Sequence, residues 1–200
     1  MKDIIVIASG KGGTGKSTVA VGLGTSLAMS GSRVLLIDCD LRNPSIYRQF
    51  KLSNQKGLSR VISGLDTFEN SVFRNIVPGV DFISAGPTTP RPSELLSSGS
   101  MIDFLKRRAY YYDFVIVDTS PLNSVSDSLA MASVADGMIL VVRENKTTVN
   151  DIDRAVNSIK MANGQIMGFI LTDVDSSGGG YGYGKYGYGY GYGESTKKKK

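Results

Sequence analysis

Short, uninterrupted apolar runs recur along the chain, separated by longer stretches in which apolar residues return every three or four positions. The runs fall at 3–8, 33–37, 80–84, 114–117, 138–142 and 166–172, and each predicts a strand. They are continuous rather than alternating, which marks strands covered on both faces. The intervening periodicity predicts helices over 16–30, 57–62, 94–108, 126–135 and 147–162. Gly31 is placed to stop the first helix, and Ser93 to cap the start of the one at 94–108. Residues 45–79 are mixed, and Pro87, Pro90 and Pro92 stiffen the connection that follows the third strand. Strand and helix in alternation predict an α/β fold: a doubly wound, mainly parallel sheet in a Rossmann-like three-layer sandwich with right-handed crossovers. Ligands of such folds bind beyond the C-terminal ends of the strands.

From residue 176 the pattern disappears. The segment 178–193 is almost entirely glycine and tyrosine, with phenols at Tyr181, Tyr183, Tyr186, Tyr188, Tyr190 and Tyr192, and four lysines close the chain. Glycine makes ordering costly, and no apolar period is present to offset it. The expectation is one folded domain over 1–175 and a disordered tail over 176–200.

Charge and composition sharpen this picture. The net charge is +5, but the tail holds five lysines against one glutamate, so +4 of it belongs to residues 176–200. The folded part is close to neutral, which argues against a nucleic-acid-binding face. There is no histidine and one cysteine, Cys39, which reads as a small core residue. A disulfide framework, a zinc site and a histidine base are thereby excluded. No run approaches transmembrane length, and the N-terminus lacks a signal-peptide pattern, so the expected location is the cytoplasm.

The candidate chemistry begins at Gly10-Lys11-Gly12-Gly13-Thr14-Gly15-Lys16-Ser17, followed by Thr18. This matches the phosphate-binding loop G-x-x-x-x-G-K-[ST], and it lies between a predicted strand and a predicted helix, as the motif requires. Glycines let successive N–H groups turn inward toward phosphate oxygens, and the helix N-terminus adds partial positive charge there. Lys16 is placed to reach the β- and γ-phosphates, and the Ser17 hydroxyl to ligate Mg²⁺. Asp118 ends the strand Val115-Ile116-Val117, and Asp38 and Asp40 follow the second strand. Three carboxylates at strand ends beside one phosphate loop supply the hard oxygens that Mg²⁺ takes. The implied cofactors are ATP and Mg²⁺, and the implied chemistry is phosphoryl transfer.

The acceptor decides the outcome. If it is water, the protein is an ATPase switch; if it is a phenol, it is a kinase. A phenol has a pKa of about 10, so a carboxylate base, Asp38 or Asp40, would assist it. Lys11 is either a solvated loop charge or a second cation on the transferring phosphate, in cis or across a dimer.

Several stretches resemble the bacterial tyrosine kinases of capsule and exopolysaccharide synthesis. Leu35–Pro44 resembles their second acidic motif, with its Asp-x-Asp-x-Arg-x-Pro form, Arg91–Ser98 resembles their Pro-Ser-Glu-Leu-Leu segment, and Asp113–Pro121 followed by Asp127 resembles their Walker B strand and the helix after it. The tail resembles their autophosphorylation cluster. The resemblance implies that Lys16 and Ser17 hold nucleotide and metal, that Asp38, Asp40 and Asp118 form the acidic site, and that the tail tyrosines are phosphoacceptors. It further implies a transmembrane activator or polysaccharide co-polymerase with a cytoplasmic activating segment, a cognate tyrosine phosphatase, self-association, and recruitment to the inner face of the plasma membrane. The loop Lys11-Gly12-Gly13-Thr14 is closer to that of chromosome-partitioning and division-site ATPases. That keeps open the alternative of a switch that dimerises on ATP and positions cargo.

Overall fold

A computed structural model of the chain describes residues 3–123 and 126–175, with the side chains of 126–128 outside that description. The six tail tyrosines and the terminal lysines lie outside the described residues.

The elements run β1 (Asp3–Ala8), α1 (Lys16–Met29), β2 (Val34–Asp38), α2 (Ile46–Gln49), α3 (Leu58–Ile62), α4 (Phe68–Ser71), β3 (Val72–Val77), β4 (Val80–Ile83), α5 (Pro92–Leu96), α6 (Gly99–Tyr111), β5 (Phe114–Asp118), a 3₁₀ turn (Ser126–Met131), β6 (Gly137–Arg143), α7 (Val149–Met161) and β7 (Ile166–Thr172). Among the described residues the strands form one seven-stranded sheet, ordered β3-β4-β2-β5-β1-β6-β7. Every pairing is parallel except β3 with β4. The doubly wound α/β reading holds.

The continuous apolar strands divide residue by residue between two cores, as period-2 geometry demands. Ile4 and Val6 face a core built with α3, α5, α6 and α7 through Leu58, Leu96, Met101, Leu105 and Ile159. Ile5 and Ile7 face the other, packed by α1 and α2 through Ala20, Leu27 and Ile46. The central strands are almost wholly buried because helices cover both sides.

The ends of α1 follow local rules. Gly31 has φ 90°; its N–H donates to Ala28 O (2.9 Å), and that of Ser32 donates to Leu27 O (3.2 Å). This 6→1 and 5→2 pair is the Schellman stop, which an L side chain at Gly31 would strain.

Three expectations are corrected. The helix at 94–108 is two helices: Pro92 opens α5 at its first turn, so Ser93 lies inside it, and Ser98 is the cap of α6, accepting from Met101 N at 3.2 Å. Serines at 97 and 98 compete for backbone groups and end the first piece. The helix at 126–135 is a 3₁₀ turn over Ser126–Met131. A seventh strand, β3, emerges from the mixed region; it is an edge strand whose Arg74 and Asn75 are exposed, and it turns into β4 through Pro78-Gly79.

One packing contact permits no side chain. A Cβ on Gly57 would lie 2.4 Å from Ser84 O and 2.5 Å from Gly86 N, both backbone atoms. Leu58 N donates to Ser84 O (2.8 Å) at the same crossing, tying α3 to the end of β4. Gly57→Ala is expected to cost roughly 3 kcal/mol or more, read as a lowered urea midpoint with an unchanged m-value.

Candidate phosphoryl-transfer site

The loop between β1 and α1 is fixed on both sides. On one side Leu122 N donates to Ser9 O (2.8 Å) and Asn123 N to Gly10 O (3.2 Å), while Ser9 Oγ donates to Lys11 O (2.7 Å). On the other, Thr172 Oγ1 donates to Thr14 O (2.7 Å), and Arg143 Nη1 and Lys146 Nζ donate to Gly13 O (3.1 and 3.3 Å). In a planar trans peptide the C=O and the next N–H point oppositely. Holding the Gly13 and Thr14 carbonyls outward therefore turns the Thr14 and Gly15 amides inward. Gly13 and Gly15 have φ 70° and 89°, the left-handed region that glycine enters without strain.

The cleft that these amides face has a volume of about 420 Å³ and is lined by Gly12, Gly13, Lys16, Ser17, Asp40 and Arg42 among others. Gly15, Thr18, Asn43, Ser45, Gln49, Ser120 and Pro121 complete its lining. Helix α1 starts here with Gly15 as its cap, no side-chain cap and no acidic residue in its first turn. Its first amides are left for a ligand, and their partial charge favours an anion. Lys16 is buried, with no carboxylate within ion-pair distance among the described residues.

The carboxylates play unequal parts. Asp38 and Asp118 are register partners on β2 and β5 and are both buried. Asp38 accepts from the backbone N–H of Asp40 (3.1 Å), Ser45 (3.2 Å) and Ile46 (3.3 Å), so it holds the loop that enters α2. Burial, with the Asp118 charge behind it, pushes Asp38 up to about 7. Burial also lifts Asp118 to about 6, with the Lys16 charge and the Ser17 hydrogen bond pulling the other way. Ser17 Oγ donates to Asp118 Oδ2 (2.5 Å), and Ser45 Oγ donates to Ser17 Oγ (3.1 Å). Asp118 Oδ1 is buried and has no hydrogen-bond partner. Asp40 is half-buried at the cleft wall and accepts from Asn43 N (3.0 Å).

These groups fit a nucleotide phosphate and Mg²⁺. The buried Oδ1 of Asp118, the Ser17 hydroxyl and Asp40 are hard oxygen donors, while the uncovered amides and Lys16 suit phosphate. Among the described residues no group of three or more acidic, cysteine or histidine side chains stands ready to hold a metal alone. A Mg²⁺ ion here would complete its shell with phosphate oxygens and water, as it usually does.

Lys11 is placed elsewhere. Its Nζ pairs with Asp151 Oδ2 at 2.9 Å, and it does not line the cleft. Asp151 is the third residue of α7 and forms a capping box with Thr148; the Thr148 hydrogen bonds, then Lys11, hold it well below the usual carboxylate range. No local motif marks Arg143, Lys146 or Thr172 as supports of the loop, because they lie more than 120 positions from the residues they hold. Arg42, within the Asp-x-Asp-x-Arg-x-Pro stretch, lies at the cleft, with Nη2 donating to Ser93 Oγ (3.0 Å).

Thr172→Val removes one donor from the loop. It is expected to weaken Mg-ADP binding by about five- to ten-fold, the worth of roughly one hydrogen bond, measured calorimetrically.

A parallel-sheet α/β fold with this loop defines a P-loop nucleotide-binding protein. A family model of the ParA type, described as "NUBPL iron-transfer P-loop NTPase", matches residues 1–172. The chain is 31% identical to the putative tyrosine-protein kinase CapB of Staphylococcus aureus, over 84% of this chain and 73% of that one. It is 35% identical to the tyrosine-protein kinase Ptk of Acinetobacter johnsonii over 88% of this chain, and spans about a quarter (24%) of that longer relative. The solved kinase domain of the Escherichia coli tyrosine kinase ETK superposes with a TM-score of 0.85 at 32% identity, covering 92% of this chain and 72% of that one. The chain belongs to the bacterial tyrosine-kinase family of P-loop ATPases, and its enzyme class is that of the protein-tyrosine kinases.

Proposed function

We propose that the protein transfers the γ-phosphoryl group of ATP to tyrosine hydroxyls of its own Gly-Tyr tail, Tyr181, Tyr183, Tyr186, Tyr188, Tyr190 and Tyr192. The observation that carries the reading is the Ser17–Asp118 pair, with one Asp118 oxygen on the loop serine and the other buried and unpartnered beside Lys16. ATP binds with its phosphates on the loop amides, Lys16 and Ser17, while the Lys11 side chain stays on Asp151. Bound Mg²⁺ supplies a positive charge that neutralises the phosphate oxygens. Lys16 and the loop amides stabilise the charge that develops on the transferring group. As the phenolic oxygen bonds to the γ-phosphorus, the bond to the β–γ bridging oxygen breaks, ADP leaves, and the phenol proton passes to a carboxylate. Asp40 suits that base role better than Asp38, which is buried and already accepts three backbone hydrogen bonds.

The same reading brings a transmembrane activator with a cytoplasmic segment, a cognate phosphatase, self-association and a role in capsule or exopolysaccharide synthesis or export. No helix among the described residues is long and apolar enough to cross a membrane. In this reading a partner recruits the domain to the inner face of the membrane. Incubation with Mg-ATP followed by peptide mass spectrometry is expected to find phosphate on tail tyrosines. A tail left unmodified, with and without the activator segment, would contradict the reading.

Lys11 favours a second reading, a dimerising ATPase switch. It is a loop lysine, half exposed, held outside the cleft by one ion pair to Asp151. In that case the γ-phosphate would end on water.

A further inference from the structure

At the opposite end of the sheet from the phosphate loop, beside the residues that lead into β2, β4 and β5, a cavity of about 690 Å³ is lined by Arg33, Arg74, Arg108, Phe68, Tyr111 and Tyr112 among others. Its three guanidiniums are held very differently. Arg74 Nη1 closes on Asp81 Oδ2 at 2.5 Å and on Tyr112 Oη at 2.8 Å, and Tyr112 Oη donates to the same carboxylate oxygen at 2.7 Å, so Arg74 is the most firmly held of the three. Arg33 reaches Asp113 only at 3.4 and 3.5 Å and is 66% exposed. Arg108 is the anomaly. Its side chain is 15% exposed, yet its one ion-pair neighbour among the described residues is Glu69 Oε1 at 3.8 Å, on a side chain that is itself 67% exposed. Its Nε is buried with no hydrogen-bond partner.

A nearly buried guanidinium with an orphaned N–H is costly unless an acceptor completes it. Packing keeps it there: the Arg108 guanidinium lies 4.3 Å from the Phe68 ring centroid and 5.5 Å from that of Tyr111. Tyr111 is 57% exposed and offers an aromatic face at the mouth. Two loosely held guanidiniums beside an aromatic wall match an aryl phosphate: a planar fork for the oxygens and a ring to stack on. Glu69 and Asp81 also line the cavity. Asp81 is fully engaged, and Glu69 must swing aside, which its exposure allows.

We propose that this cavity is a binding site for phosphotyrosine, with Arg108 and Arg33 taking the phosphate and Tyr111 stacking on the ring. The inference rests on the proposed tail phosphorylation for the origin of its ligand. A phosphotyrosine carries about −1.5 to −2 charges, and each tail tyrosine has glycine on at least one side in the sequence. The tail follows β7, at the far edge of the sheet from β3 and β4, so a neighbouring molecule's tail and the chain's own are the two sources.

The test titrates a synthetic peptide of residues 185–193, with and without phosphate on Tyr188, into the full chain with its nucleotide cleft filled by Mg-ADP. The phosphopeptide is expected to bind at least about ten-fold tighter than the plain peptide, the effect of one or more charge-assisted hydrogen bonds. Arg108→Met and the exposed Arg33→Ala should each weaken it several-fold with Mg-ADP affinity unchanged. Glu69→Gln should tighten it, a gain that misfolding cannot mimic. Equal binding of the two peptides, phosphopeptide binding seen only when Mg-ADP is left out, or indifference to all three substitutions would overturn the assignment. This titration needs no kinase activity, so a chain that fails to phosphorylate itself leaves it intact. With phosphorylated chain, self-association lost in Arg33→Ala identifies a neighbour's tail, and a monomer that no longer takes up the peptide identifies its own. A phosphorylated chain that binds the free peptide as well as the unmodified one does would remove the tail as ligand.

Discussion

Replacing Lys16 by methionine is expected to lower tyrosine phosphorylation by about 10³-fold or more, the scale of losing a preorganised cation from a phosphoryl-transfer site. The side chain is buried at the cleft, and no carboxylate lies within ion-pair distance of it among the described residues. Its charge is therefore not spent on the fold. In the proposed mechanism it acts on the phosphates, and at longer range it lowers the pKa of Asp118. Methionine has a similar length and no charge to desolvate, so the thermal midpoint of the nucleotide-free variant should stay level or rise. Loss of activity together with a collapsed midpoint would mean that Lys16 holds the fold rather than the substrate. The two quantities are measured by phosphotyrosine quantification and by thermal unfolding of the same sample.

Asp118→Asn should separate activity from stability still more clearly. Activity is expected to fall by about 10²- to 10³-fold, because the residue anchors Ser17 and, in the proposed mechanism, gives its unpartnered oxygen to the metal. Stability of the metal-free protein should rise instead. Asp38 and Asp118 face each other on adjacent buried strands, and burial raises both pKa values, to about 7 and about 6. A carboxyl group whose folded pKa is raised favours the protonated native state. Its contribution is fully present below the unfolded value of about 3.9 and is lost as pH rises through the folded one. The metal-free wild type should therefore lose stability between about pH 4 and pH 8, by an amount on the order of a few kcal/mol. Asp118→Asn removes one charge and relieves the other, since the Asp118 charge is the second cause of the Asp38 shift. Its unfolding midpoint should be higher at pH 8 and its pH slope shallower. Saturating Mg-ADP should reverse the order, stabilising the wild type more. Thermal melts in chelator and in Mg-ADP across this range read both effects; a wild type that gains stability from pH 5 to pH 8 in chelator would contradict the burial argument.

Much of this was legible in the residues alone, and what was not has specific causes. The five inner strands, β1, β2, β4, β5 and β6, were readable because both faces are covered, leaving few polar positions to blur the runs. The run at 166–172 also forms a strand, but the expectation that both its faces are covered is corrected: β7 is at the sheet edge, with Met167, Phe169 and Leu171 exposed. Strand β3 was not, because an edge strand with Arg74 and Asn75 turned to solvent carries only a broken apolar pattern, although Pro78-Gly79 marked its turn. The split between α5 and α6 rests on which of two serines caps a helix, and Ser98 prevails over Ser93 because Pro92 already opens the first piece.

At the site, Gly10–Ser17 and Asp118 were readable because phosphate binding needs a contiguous loop between strand and helix, followed by an acid at a neighbouring strand end. The outer supports were not. Arg143, Lys146 and Thr172 act by donating to loop carbonyls, a task many residue types perform, so no motif marks them. Nor could spacing show that Asp38 is occupied by three backbone amides, or that Lys11 rests on a helix cap 140 residues away.

The central claim is that the γ-phosphoryl group is delivered to phenols. Its most direct test follows γ-labelled ATP in single-turnover reactions of the full chain with Mg²⁺ and the activator segment, counting label on tail tyrosines against label released as inorganic phosphate. The account predicts that most of the label appears on Tyr181–Tyr192 and that Lys16→Met abolishes it. Label that accumulates as inorganic phosphate over an unmodified tail would contradict the account and make the protein an ATP-hydrolysing switch.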